Sequence, residues 1–329
     1  MKVCYSHISL LNIHAFALGN YPFSDQFVPS PFVIQALDSR IFPAKLLLFG
    51  EHVLLLGATA LAVPVAAFGG QWIWGKHFDR HHARLLQFAG SEALQSLEIL
   101  DTTQFRLDLE AGLLFQSDIP TGYGLGSSGA LCAAIYDRYT REKTDDLSEL
   151  KSIFGRMESF FHGNSSGIDP LTSYVGVPVL IQNKTEVQRV TPQIWGEEKP
   201  CVFLIDSKLP RRTGPLVEWF LAQSIEAEFA QKLSLEYLPA HDAVLHAWLA
   251  ADFDLFWPNL RRISAFQFEN FGPMIPKTLH GFWAESLGNQ DYVLKICGAG
   301  GGGFVLGFAR NQEIGQSLAQ SFQIVFPFA

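Results

Sequence analysis

The sequence predicts a protein of mixed helices and strands, long enough for one large domain or two ordinary ones. Three observations carry this. The chain has 329 residues and 48% of them are hydrophobic, so it can bury a sizeable core and is not globally disordered. Short apolar β-like runs at 44–49, 113–115, 201–205 and 305–308 are separated by long stretches with helical periodicity. Two glycine clusters, at 122–129 and 298–303, sit beside such runs and interrupt any regular element there.

Charge and cysteine usage narrow the function. The net charge of −8 argues against a nucleic-acid binder, which needs a basic face. It leaves room for an anionic small molecule, because local lysines and glycine nests can oppose the global field. Cys4, Cys132, Cys201 and Cys297 are far apart and form no C-x-x-C pair. That suits reduced thiols in a cytoplasmic protein better than a disulfide frame or a zinc site.

Residues 1–40 carry little pattern and are expected to be a loosely ordered extension. A mildly apolar run at 8–18 follows Lys2, but Asn12 and His14 interrupt it and no convincing cleavage site follows, so a signal peptide is not favoured. Residues 44–49 read as a strand that ends at Gly50-Glu51-His52. From Val53 to Gly75 there is no charged residue, a length that matches a membrane span. Gly57, Pro64, Gly69 and Gly70 punctuate it, which favours buried strands joined by turns. His77, His81 and His82 lie together, and the spacing of four between His77 and His81 suits a metal on one helix face. No third ligand is near in sequence, and a solvated face is the expectation.

The stretch P-T-G-Y-G-L-G-S-S-G-A, residues 120–130, lies between a strand-like run and a helical pattern at Leu131, Ile135 and Tyr139. A glycine-rich turn entering a helix aims free N–H groups at one spot, where the helix dipole also favours an anion. Phosphate is the simplest ligand for such a nest; an ordinary glycine turn is the alternative. No G-K-[ST] follows, so it is not a Walker loop, and the spacing is not a clear dinucleotide fingerprint.

Leu147, Leu150, Phe154, Met157 and Phe161 recur at helical spacing, with Asp145 and Asp146 at the start and Gly163 at the end. Glu158 borders that apolar face. The polar turn H-G-N-S-S-G-I-D-P, residues 162–170, follows and contains Asp169, by itself an ordinary turn residue before proline. Residues 183–200 read as a polar domain junction. Lys208, Arg211 and Arg212 form a basic cluster of the kind that is usually solvated. Helical periodicity dominates 215–260, and Trp219, Phe220, Trp248, Phe253, Phe256 and Trp257 read as core aromatics.

Taken together, these motifs resemble those of the GHMP kinases. G-L-G-S-S-G-A looks like their second motif, with Gly129 where alanine is usual, a small-for-small change. The 45–57 stretch is similar to the first motif of the mevalonate kinase branch, with Leu56 where histidine is common. Glu158, His162, Gly163, Ser166, Gly167 and Asp169 keep the register of E-x-x-x-H-G-x-x-S-G-x-D. Lys208, Pro210, Arg211, Thr213, Leu216 and Val217 keep that of K-x-P-R-x-T-x-x-L-V. G-A-G-G-G-G, residues 298–303, resembles the third motif, with Cys297 where threonine is common.

The resemblance spans 44–303 and implies an α+β, two-domain GHMP-kinase-like fold with the active site between the domains: residues 41–197 binding ATP, residues 198–329 forming the C-terminal domain. It implies phosphoryl transfer from ATP to an alcohol, with ATP and Mg²⁺ as cofactors. Asp169 is the implied general base, Lys45 its charged partner, and Thr213 an assistant near the transferred group. Pro120, Gly122, Gly124, Leu125, Gly126, Ser127, Ser128, Gly129, Ala130, Gly300 and Gly301 are implied to contact the nucleotide. Ser128, with Ser127 as the close alternative, and Glu158 would hold the metal. Glu51, His52, His162, Gly298 and Ala299 would face the acceptor. The implied partner is a small alcohol, with mevalonate favoured and no nucleic acid or membrane, and a homodimer is entertained. Another small alcohol or a sugar is the alternative, and a catalytically silent ligand sensor on the same fold is a further one.

Overall fold

The fifteen-residue strand β3 is the spine of the first sheet. The computed structural model describes residues 35–36, 40–75, 80–191, 199–211 and 213–328. The first sheet contains β1 (Gln35–Ala36), β2 (Phe42–Phe49), β3 (Ala60–Trp74), β4 (Leu113–Ser117), β5 (Val179–Gln182) and β6 (Glu186–Arg189). β3 pairs antiparallel with β1, β2, β4 and β5, and β6 pairs with β5. The second sheet, β7 (Cys201–Asp206), β8 (Tyr292–Ile296), β9 (Phe304–Ala309) and β10 (Ile324–Val325), runs in the order β10-β7-β9-β8, all antiparallel.

Between the strands run α1 (Arg80–Ala89), α2 (Glu92–Gln95), α3 (Thr102–Glu110), α4 (Ser127–Tyr139), α5 (Leu147–His162) and α6 (Ile168–Val175). After β7 come α7 (Thr213–Ser224), α8 (Ala227–Lys232), α9 (Leu238–Ala250), α10 (Phe253–Asn270), α11 (His280–Gly288) and, after β9, α12 (Gln312–Leu318). Asp146 caps α5 by accepting from the Ser148 and Glu149 N–H groups, which fixes where that helix starts. Phe49 at the end of β2 stacks on Phe308 of β9 at 5.9 Å and meets Trp248 and Phe256 edge-on. One aromatic cluster thus joins the first sheet to the second and to the helices that cover it.

Several expectations change. The uncharged stretch is a 3₁₀ turn, Val53–Leu56, followed by one continuous strand, not several pieces. Gly69 and Gly70 lie within β3 instead of ending it: they pair with Pro43 and Phe42, the register then shifts so that Ala44 faces Val65, and a Cβ on Gly70 would lie 2.3 Å from the Phe115 ring. The region expected as a junction contains β6, and Gln35–Ala36 at the end of the supposed extension pairs with Ile73 and Trp74. His81 is exposed but His82 is buried, so that helix face is not solvated throughout. His77 and Arg212, and residues 1–34 of the extension, lie outside the described residues. Among the described residues no helix is long and apolar enough to cross a membrane, and no cluster of His, Cys, Asp and Glu is arranged for a metal.

Candidate active site

Local backbone chemistry builds the first wall. β4 leads into the loop at 120–126, where Gly122, Gly124 and Gly126 have φ of 81°, 78° and 72°. Side chains rarely adopt that conformation, so glycine alternates through the loop. Gly126 is the N-cap of α4 and no side chain caps that helix, which leaves its first N–H groups for a ligand. The Lys45 N–H donates to the Leu125 carbonyl at 2.8 Å, pinning β2 to the loop. Pro120 and Thr121 lead into it, and Ala130 is fully buried in the first turn of α4.

The second wall is the start of α6. Gly167, at φ 73°, is its N-cap, and Asp169 lies in its first turn, where the helix dipole favours a carboxylate. Lys45 forms an ion pair with Asp169 Oδ1. A Cβ on Gly126 would stand 3.3 Å from Asp169 Oδ2, and one on Gly129 would stand 2.8 Å from the Asp169 carbonyl carbon. The glycine nest and the aspartate are therefore in direct contact. Gly129 is no neutral swap for alanine here: α4 and α6 are packed too closely for a methyl group.

Ser128 and Glu158 form the third part. Ser128 Oγ donates to Glu158 Oε1 at 2.9 Å and lies 2.9 Å from His162 Nε2, while Ser127 beside it makes no such contact. Burial, then the charge of Asp169, pushes the Glu158 carboxyl up to about 7. Its second oxygen accepts from Ser165. A buried carboxylate beside a hydroxyl, with a second carboxylate nearby, is a set of hard oxygen donors short of positive charge. These residues fit Mg²⁺.

The fourth wall joins the turn at Glu51–His52 to the second half of the chain. His52 sits at φ 62° and ψ −49°, and the Val53 N–H donates to the Glu51 carbonyl at 2.7 Å, a strained γ-turn centred on a non-glycine residue. His52 Nε2 meets the Ala299 carbonyl at 3.1 Å, and burial lowers its pKa to about 4, so the ring is neutral. Glu51, expected at the acceptor, is instead turned inward, buried, and ion-paired with Lys295. Burial raises its pKa against the pull of that lysine.

Other sequence expectations are met differently. The Gly300 N–H donates to Cys297 O at 3.1 Å and the Gly301 N–H to Met274 O, so neither is free for a phosphate. Gly298 instead lies against Arg211, whose guanidinium also covers Gly124. Thr213 opens α7 exposed, and no described contact joins it to Lys45 or Asp169.

Sequence reasoning missed four residues. Arg211 is drawn in between the two glycine loops and bonds Cys297 O at 3.5 Å; its place in K-x-P-R-x-T was the available signal. Tyr123 OH donates to Asp206 Oδ1 at 3.2 Å and its ring packs edge-on against Phe304, tying the first loop to the second sheet. Ser165 and Lys295 had no distinguishing local pattern.

The fold is that of the GHMP kinases. Residues 91–177 match the family model described as "GHMP kinases N terminal domain". The named relatives are mevalonate kinases: that of Thermococcus gammatolerans is 28% identical over 163 residues, covering 41% of this chain and 48% of the relative. The chain thus spans about half the length of the first curated relatives it matches. The mevalonate kinase of Aeropyrum pernix is 25% identical over 307 residues, covering 84% of this chain and 90% of that one. Among solved structures, L. major mevalonate kinase in complex with R-mevalonate has a TM-score of 0.60 at 16% identity, covering 87% of this chain and 91% of its own. Lactococcus lactis galactokinase complexed with galactose has a TM-score of 0.59 at 15% identity, covering 84% and 86%.

Proposed function

We propose that this chain is an ATP-dependent kinase that phosphorylates a small alcohol, with mevalonate as the first acceptor to test. The observation that carries the proposal is the Lys45–Asp169 pair set against the glycine nest at Gly126 and Gly129. Phosphoryl transfer asks a protein mainly to position two oxygens and to balance charge. The loop N–H groups and the first turn of α4 would bind the nucleotide phosphates. Ser128 and Glu158 would hold Mg²⁺, which would supply positive charge to balance the transferred phosphoryl group. Asp169 would orient the acceptor hydroxyl and take its proton at a carboxylate oxygen. Lys45 would hold Asp169 in place through their ion pair. Arg211, between the loops, would add charge facing the transferred group.

The acceptor rests on similarity to the relatives named above and on the K-x-P-R-x-T register, and the galactokinase likeness makes a sugar the second reading. Purified protein with Mg-ATP and a panel of alcohols, followed by ADP release, tests both. Mevalonate should turn over far faster than galactose, homoserine or phosphomevalonate. Turnover of a sugar alone would keep the kinase and remove mevalonate; no turnover with any alcohol would favour a silent ligand sensor.

A further inference from the structure

The groove beside α5 holds a second constellation that the proposed chemistry does not use. It is a cavity of about 610 Å³ lined by α5, by the loop before α6 and by the turn between β5 and β6. Lys151 and Arg156 line it, and no carboxylate does. Ser148 and Ser152 add hydroxyls that have no protein partner among the described residues, with Thr185 across from them.

None of the described ion pairs reaches Lys151 or Arg156. Lys151 is half-buried and donates to the Lys184 carbonyl at 2.8 Å; burial lowers its pKa. Arg156 is held by the Ser96 carbonyl at 2.9 Å and the Ser96 hydroxyl at 3.0 Å. Both heads are fixed by neutral acceptors and keep their charge uncompensated. In a chain of net charge −8, two oriented cations ringed by hydroxyls complement a multiply charged oxyanion.

We propose that this cavity is an anion site for a small phosphate monoester or diphosphate, separate from the glycine nest. One of its lining residues, Ser165, also donates to Glu158 and accepts the Gly167 N–H at 3.1 Å. An anion that engages Ser165 competes with Glu158 for the same hydroxyl, so occupancy reaches the candidate active site through one side chain.

Calorimetric titration of the full chain with inorganic pyrophosphate tests this, with ATP titrated separately. Lys151→Met with Arg156→Met should weaken one class of pyrophosphate sites at least about tenfold, the loss of two charge-assisted contacts, while ATP binding stays unchanged. Lys151→Arg should retain pyrophosphate binding, which guards against a merely misfolded double variant. Equal pyrophosphate stoichiometry and affinity in wild type and double variant would overturn the site. Failure of ATP to bind wild type would instead remove the kinase reading and leave the cavity result standing.

Discussion

Lys45 on β2 and Asp169 in the first turn of α6 form an ion pair whose lysine is nearly buried while the carboxylate stays 30% exposed. That asymmetry leaves Asp169 open to an acceptor hydroxyl. Asp169→Asn should lower turnover about a hundred- to ten-thousandfold, the range for a lost general base, with little change in Mg-ATP affinity by equilibrium titration. Lys45→Met should also slow turnover. The double variant should lose much less than the product of the single losses, because the pair acts as a unit. Near-normal turnover in Asp169→Asn would remove the base.

Gly129→Ala should be harmful although alanine is the better helix former. Its methyl would meet the Asp169 and Pro170 backbone at 2.8 Å, and overpacking costs about 1–3 kcal/mol. Turnover should fall with stability as Asp169 is displaced. Gly281→Ala on α11, where a Cβ meets nothing within 4 Å, should instead stabilise by about 0.5–1 kcal/mol in thermal or urea unfolding.

Two buried groups give opposite pH signatures in metal-free protein. His52 falls from its ordinary 6.5 to about 4, so its contribution is complete above pH 6.5 and is lost as pH falls toward 4. Glu158 rises from 4.5 to about 7, so its contribution is present below pH 4.5 and is lost as pH rises through 7. Each amounts to about 3 kcal/mol, and they offset one another between pH 4.5 and 6.5. Glu158→Gln should therefore unmask a steep acid loss in urea unfolding, and His52→Asn should flatten it. A Glu158→Gln profile no steeper than wild type would contradict the assignment.

Lys295→Met should cost about 3–5 kcal/mol, because it strands the buried Glu51 carboxylate. Adding Glu51→Leu should recover much of the loss. Independent, additive losses in chemical denaturation would show that the two do not act as a pair.

Tyr123→Phe removes only the hydroxyl that bonds Asp206. A lost bond of about 1 kcal/mol should weaken nucleotide binding roughly fivefold through a looser loop, with the folded state otherwise intact. Unchanged affinity would mean that the Phe304 contact alone holds the loop.

The sequence showed the parts of this site that local rules dictate. Glycines at alternate positions announced the 120–126 turn, and the register of Glu158 and Asp169 placed them where the structure brings them to Ser128 and Lys45. What stayed hidden depends on partners remote in sequence. Arg211 looked like a solvated turn residue because nothing local shows that two glycine loops leave a space its guanidinium fills. Glu51 looked like a ligand contact because its partner, Lys295, follows 244 positions later. β3 looked broken because its glycines, which signal a turn locally, pair within a long antiparallel strand whose partner β2 is remote from them in sequence.

That same separation orders events on the ribosome. The first sheet needs nothing beyond Arg189, and Lys45 can meet Asp169 once α6 has emerged. Glu51 and His52 cannot be satisfied then, since Lys295 and Ala299 are still unmade. A nascent chain that has finished its first sheet therefore carries an uncompensated carboxylate and an open γ-turn until the second sheet arrives. The partners of the Glu51–His52 turn are therefore among the last parts of the chain to be synthesised, so a stalled product holds a formed glycine nest and its Asp169 beside a turn that nothing yet closes.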